Sequence, residues 1–157
     1  MNNKRIENVL SKSEADALLI SDPIAIDYLI GRRIYPGERF LGLLLDKNNP
    51  PKLFLNALFS FEQTDTLEVV SYTDGTPISQ LLSAYIDKNA VLGIDKTLPA
   101  RFLLPMQKAG IAADFVDGSL VIDRARAIKD EEEIRRMIKA SSINDEAMAI
   151  FKTLVYE

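Results

Sequence analysis

Short apolar segments of strand length alternate with amphipathic stretches over most of this chain of 157 residues. Each apolar segment is too short for a helix, and turn or helix-start residues such as Asp22-Pro23 follow it. Strands that alternate with helices build layered α/β domains, because each helix covers the sheet with its apolar face. The pattern predicts six strands, at residues 17–20, 40–45, 52–55, 67–72, 90–95 and 113–116.

Proline and glycine mark where the intervening helices begin and end. Pro23, Pro77 and Pro99 each stand where a helix opens, a position that tolerates the missing amide proton. Gly31 and Gly110 stand where two helices close, since glycine readily adopts the left-handed conformation found there. Turn residues between the second and third strands predict an antiparallel hairpin. We therefore expect an α/β fold, a three-layer domain with a six-stranded mixed sheet.

The last part of the chain has a different character. Residues 124–129 form a basic connector, and Asp130 with Glu133 is typical of a capping box at a helix start. Apolar residues at helical spacing then predict one long C-terminal helix of about 25 residues. Its apolar stripe needs a partner, which we expect to lie downstream in a longer protein. The chain is thus divided into an N-terminal domain, residues 1–123, and a connector with the first helix of a further domain, residues 124–157.

The chain contains no histidine and no cysteine. This composition excludes Ser-His-Asp triads, cysteine nucleophiles, disulfides and the usual zinc sites. Glycine-rich nucleotide-binding motifs are also missing from the sequence. We therefore expect no catalytic residue and no metal ligand in this chain.

Charge and hydropathy narrow the range of partners. The formal net charge is −4, without the basic footprint of nucleic-acid-binding proteins. No apolar run approaches the roughly 20 residues of a membrane helix, and the N-terminus is polar, unlike a signal peptide. We expect a cytoplasmic protein that binds neither nucleic acid nor membranes.

The densest group of charges lies in the loop before the second predicted strand. It contains Arg32, Arg33, Tyr35, Glu38 and Arg39. Loops on a rigid scaffold often carry function, and an arginine fork can hold a terminal carboxylate. The opposing interpretation is a solvated loop with local ion pairs, which the residues alone favour.

Three aspartates, Asp16, Asp46 and Asp95, border predicted strands. Carboxylates on neighbouring strands can hold two metal ions, as in metal-dependent nucleases. Aspartate is also common in turns next to strands, and we favour that structural role. The acids at residues 130–133 are interpreted as a solvated helix start rather than as a hard-cation site.

Several segments resemble those of a known family in order and spacing. They are Tyr28–Gly31 after an Asp-Pro pair, Gly37–Arg39 before an apolar strand, Gly93–Asp95 before Leu98-Pro99, and the connector Arg124–Ile134. The chain resembles, over its whole length, the N-terminal domain of Xaa-Pro dipeptidases and aminopeptidases of the creatinase/prolidase family.

The resemblance implies a ribonuclease H-like fold that is followed, in the whole enzyme, by a pita-bread catalytic domain. That domain is a metallopeptidase: it binds two divalent metal ions, commonly manganese, and cleaves the bond before proline. This chain would then be a non-catalytic domain that shapes the access of proline-containing peptides and supports a homodimer. The alternative is a free-standing interaction module that keeps the fold without peptidase activity.

The resemblance also gives expected roles to individual residues. The loop that holds Arg32 to Arg39 would border the substrate entrance, because in related dipeptidases this loop reaches the active site of the partner subunit. Those enzymes often have Asp-Pro-His where this chain has Tyr35-Pro36-Gly37. Arg124, Lys129 and Glu133 would belong to the connector between the two domains.

Overall fold

Strands and helices account for most of the residues that the computed structural model describes, which are 3–61 and 64–156. Met1 and Glu157, the outer limits of the predicted domains, lie outside the described residues. All six predicted strands are present close to their predicted bounds, as β1 Ala17–Ile20, β2 Gly42–Asp46, β3 Lys52–Asn56, β4 Glu68–Tyr72, β5 Val91–Ile94 and β6 Asp114–Asp117. The helices are α1 Asn3–Lys12, α2 Pro23–Ile30, α3 Ile78–Ser83, α4 Ala100–Ala109, α5 Ser119–Ala127 and α6 Glu131–Tyr156.

The six strands form one mixed sheet in the order β4-β3-β2-β1-β5-β6. Strand β2 is antiparallel to both of its neighbours, whereas β3 with β4, β1 with β5, and β5 with β6 are parallel. The predicted mixed sheet and its β2–β3 hairpin are therefore confirmed. Because β2 alone of these strands runs the other way, the carboxyl ends of the remaining five meet at one edge of the sheet.

The helix limits follow the predicted signals. The Asp22 carboxylate accepts a hydrogen bond from the amide of Ile24 at 2.9 Å, and Pro23 occupies the first turn of α2. Gly31 and Gly110 end α2 and α4 with positive φ angles of 76° and 59°. A residue with a Cβ would be strained at either position, so the glycines set the helix lengths.

Alternate side chains of the strands enter two cores, one on each face of the sheet. Leu18 and Ile20 of β1 pack with residues of α1, α2 and α5. Ala17 and Leu19 face the other side and pack with α3 and α4 around the fully buried Phe54. Each large side chain buried in this way contributes about 1.5–3 kcal/mol, so the two cores define the three layers that the pattern predicted.

Helix α5, Ser119–Ala127, was not predicted. Its Ile122 and Ala125 enter the first core, and the Ala125 carbonyl accepts a hydrogen bond from the Tyr28 hydroxyl at 3.0 Å. Arg124, where the predicted connector begins, lies inside this helix. A run of adjacent apolar residues followed by alternating arginines shows no clear helical period, which explains the miss.

The chain divides into two compact units, with the boundary between Ala125 and Arg126. The second unit consists chiefly of α6, whose start has the predicted capping box. The Glu133 amide donates to Asp130 at 2.8 Å, and the Asp130 amide donates to the Glu133 carboxylate at 3.0 Å. Large apolar side chains of α6 are exposed, including Ile138 and Leu154. Among the described residues, no helix combines the length and the apolar character needed to cross a membrane.

Candidate functional site

The charged loop joins α2 to β2 and is anchored in both cores. Ile34 is buried in the core that contains α2, and Phe40 is buried in the core on the opposite face. Between them Gly37 has a φ of 60°, a backbone conformation that residues with a side chain rarely adopt. The backbone of the loop is therefore fixed at both ends, and its polar residues lie between the two anchors.

Arg39 is held by a bidentate ion pair. Its Nε and Nη2 atoms each donate to the carboxylate of Asp74 at 2.8 Å. The same carboxylate accepts a hydrogen bond of 2.8 Å from Nδ2 of Asn56, a buried residue at the end of β3. These hydrogen bonds raise the pKa of Arg39 and lower the pKa of Asp74. Arg39 thus fastens the loop to the turn that follows β4.

Arg33 and Tyr35 form the outer part of the loop. The Tyr35 side chain is 72% exposed. The Tyr35 hydroxyl raises the pKa of the Arg33 guanidinium most, and the carboxylate of Asp27 raises it further. Arg33 Nε donates to Asp27 at 3.1 Å, which ties this arginine to α2. The arrangement leaves the Tyr35 ring as the main apolar surface that the loop presents to solvent.

Glu38 pairs with Arg101 at the start of α4. The carboxylate of Glu38 lies 3.7 Å from Nη1 of Arg101, and the Glu38 carbonyl also accepts a hydrogen bond from that side chain. Glu38, Arg39, Asp74 and Arg101 line an open cleft of about 300 Å³ that includes Phe102. Every charge that lines this cleft is paired with another, so the cleft is balanced electrostatically.

Arg32 differs from the other arginines of the loop. Its Nη2 atom donates to the carbonyl of Ser60 at 3.1 Å, and its guanidinium lies 4.7 Å from the centre of the Phe61 ring. It therefore points away from the 300 Å³ cleft, toward the segment after β3. The structure thus divides the five predicted site residues: Glu38 and Arg39 share one cleft, Arg33 and Tyr35 form the exposed tip, and Arg32 lines a separate groove.

The three aspartates that border strands have separate structural roles. Asp16 accepts a hydrogen bond from the Val91 amide at 2.8 Å, and Asp46 accepts from the amides of the turn that follows it. Asp95 is buried and accepts bonds from the amides of Ser21 and Asp22, both at 2.7 Å. Within residues 3–61 and 64–156, no three acids come together as a metal site would need.

The connector residues lie in different elements. Arg124 belongs to α5 and lines a cleft of about 620 Å³ between α5, β6 and the segment before β1. Lys129 donates from Nζ to the carbonyl of Ala127 at 2.9 Å. Glu133 belongs to the capping box of α6. A role of these residues in joining two domains remains a prediction.

Sequence reasoning missed the partners of the loop. Asp27 is one helix away, but Asp74 and Arg101 lie 35 and 63 residues further along than the residues they bind. No local pattern encodes such pairs, because each joins residues of elements that are far apart in the chain. Local ion pairing, the favoured interpretation, describes Arg33 with Asp27, whereas Glu38 and Arg39 pair with residues far along the chain.

Known proteins resemble this chain over most of its length. The sequence model of the creatinase/prolidase N-terminal domain matches residues 3–128. An uncharacterized peptidase of Staphylococcus epidermidis is 29% identical over 157 residues, which are 98% of this chain and 44% of that protein. The chain therefore spans less than half the length of this curated relative.

Solved structures share the fold. The creatinase/prolidase N-terminal domain of an Xaa-Pro dipeptidase from Streptococcus pyogenes has a TM-score of 0.59 at 24% identity, covering 74% of this chain and 94% of that one. A dipeptidase from Pyrococcus horikoshii has a TM-score of 0.76 at 24% identity, covering 96% of this chain and 43% of that one. The second similarity includes the sheet and the long C-terminal helix.

Proposed function

Because this chain belongs to the creatinase/prolidase N-terminal domain family, we propose that it is the non-catalytic domain of a metallopeptidase that cleaves the bond before proline. The family match over residues 3–128 carries the proposal. The greater length of the related peptidase supports it, because a catalytic domain needs residues beyond those present here.

The described residues do not fit a two-metal centre. The chain has no histidine, and the carboxylates of Asp16, Asp46 and Asp95 each accept hydrogen bonds from backbone amides. Two divalent ions, which we propose to be manganese, would activate water for peptide hydrolysis in the catalytic domain. The contribution of this chain would be to shape the path of the peptide.

The exposed tip of the loop is the part suited to such a role. Tyr35 offers an exposed ring, while Arg33 and Arg39 are held by Asp27 and Asp74 and brace the backbone on either side. In a whole enzyme we expect Tyr35→Ala to change KM for an Xaa-Pro dipeptide without lowering Tm. Leu58→Ala, at another exposed apolar residue, is the matched control.

The remaining features of the proposal concern organisation. We propose that residues 1–123 form the N-terminal domain, that residues 124–157 lead into the catalytic domain, and that the whole protein is a cytoplasmic homodimer. The end of the family match at residue 128, just before α6, supports this division. Helix α5, Ser119–Ala127, spans the junction between these two segments.

An activity assay tests the proposal directly. The chain alone, and the chain joined to any coding sequence that follows it, are incubated with Mn²⁺ and an Xaa-Pro dipeptide. We expect hydrolysis only by the longer protein. Metal-dependent hydrolysis by the purified 157-residue chain would contradict a non-catalytic role. If no coding sequence follows, the free-standing interaction module is the correct function.

A further inference from the structure

A groove of about 340 Å³ lies over the outer strands β3 and β4, apart from the tip of the charged loop. Its apolar lining consists of Leu55, Phe59, Phe61 and Val69, and its polar lining is Arg32 and two serines. Phe59 and Phe61 are only partly buried against the core. The volume falls within the range of about 300–1,000 Å³ that is usual for small-molecule sites.

Arg32 is the charged group of this groove and has donors to spare. A guanidinium carries five N–H donors, and the structure shows one of them in use, to the Ser60 carbonyl at 3.1 Å. The neighbouring Arg33 and Arg39 each bind a carboxylate, whereas in the part of the chain that is described Arg32 forms no ion pair. The described lining contains no acid. The groove therefore presents a positive, hydrogen-bonding group beside apolar surface.

We propose that this groove binds the C-terminal residue of a peptide, with the terminal carboxylate on Arg32 and the apolar side chain against Phe59 and Phe61. A guanidinium fork matches the two oxygens of a carboxylate, and the Phe61 ring, whose centre lies 4.7 Å from the guanidinium, supports it from one side. A single fork suits a carboxylate better than a phosphate, which usually gathers several donors. The site belongs to this chain alone and does not depend on the proposed peptidase function.

The proposal is tested with two probes that differ only in their C-terminal group. N-acetyl-leucine and N-acetyl-leucinamide have the same shape, but only the first has a carboxylate. Each is titrated into the ¹⁵N-labelled chain while amide shifts are followed by NMR. We expect saturable shifts around residues 58–61 and 69–71 with the acid, and at least about tenfold weaker binding of the amide, since a hydrogen bond between charged groups is lost.

Two variants locate the site. Arg32→Gln should reduce binding of the acid to the level of the amide, whereas Arg33→Gln, next in sequence but already paired with Asp27, should leave it unchanged. Arg32→Lys keeps the charge without the fork, so it should bind the acid more weakly than the natural chain. Circular dichroism confirms that each variant is folded, because a loss of fold would also remove the site.

Three outcomes would overturn the proposal. One is equal affinity for the acid and the amide, which would show that the charge is not recognised. Another is an Arg32→Gln variant that is folded and binds the acid as well as the natural chain does. The third is the lack of any saturable shift with either probe.

Discussion

Replacing Asp95 by alanine removes a carboxylate that joins the ends of two adjacent strands. Asp95 follows β5, and Ser21 and Asp22 follow β1. One oxygen of Asp95 accepts from the amides of both residues at 2.7 Å, and the other accepts from the Ser21 hydroxyl at 2.7 Å and the Thr97 hydroxyl at 2.9 Å. The alanine variant would leave the two amides without this acceptor in a largely buried place.

The expected loss of stability follows from those two amides. A buried group that loses its partner costs about 1–3 kcal/mol, so Asp95→Ala should lower the free energy of unfolding by about 2–6 kcal/mol. Asp95→Asn keeps an oxygen for the amides of Ser21 and Asp22, and its NH₂ group can donate to the nearby hydroxyls. It should therefore cost less, about 1–2 kcal/mol.

Urea unfolding followed by circular dichroism measures this difference. With a slope of about 1–3 kcal/mol per molar urea, the alanine variant should unfold at a midpoint roughly 1–2 M lower. Asp65→Ala, at an exposed aspartate, is the control and should change stability by less than about 0.5 kcal/mol. An Asp95→Ala variant as stable as this control, or an Asn variant less stable than the Ala variant, would refute the reasoning.

Three further predictions concern other parts of the chain. Gly93→Ala should lower the free energy of unfolding by about 1–3 kcal/mol in the same assay, because a Cβ there would lie 2.6 Å from the buried side chain of Leu18. Gly75→Ala, with open space around it, is the control and should not lower it. Arg39→Ala should make Tm fall less steeply as the pH is lowered. The pKa of Asp74 is held below its ordinary value of 3.8, so the ion pair with Arg39 stabilises the fold above that pH. This stabilisation is lost as the pH falls through the lowered pKa of Asp74, and the variant has none to lose. Hydrogen exchange at residues 140–155 should slow as protein concentration rises, since exposed apolar side chains of α6 favour pairing with a second copy; strong protection in a dilute monomer would contradict this.

The strands and most helix limits could be predicted because their signals are local. Pro23 and Gly31 bound α2 through their own backbone preferences, and Asp130 with Glu133 caps α6 across a single turn. Helix α5 was not predicted, because its conformation depends on the burial of Ile122 in the core and not on a clear helical period in the sequence. Local signals also left the sheet order open, since pairing depends on residues far apart in sequence.

The candidate sites were only partly predictable for the same reason. The loop stood out by its charge density, but the sequence could not say which arginine has a carboxylate partner. Arg39 forms an ion pair with Asp74, so its charge is already balanced. The Arg32 guanidinium instead lies beside the Phe61 ring, in the groove over β3 and β4. Such a distinction requires the folded positions of side chains that are tens of residues apart.

The position of β1 in the sheet has a consequence for the order in which the chain folds. Ala17 of β1 pairs on one side with Asp46, but on the other side with Leu92, about 75 residues later. At roughly 5–20 residues per second on the ribosome, one edge of this fully apolar strand waits about 4–15 seconds for its neighbour. During that interval the exposed edge can pair wrongly with another nascent chain. Synthesis should therefore be the stage at which this protein most depends on chaperones.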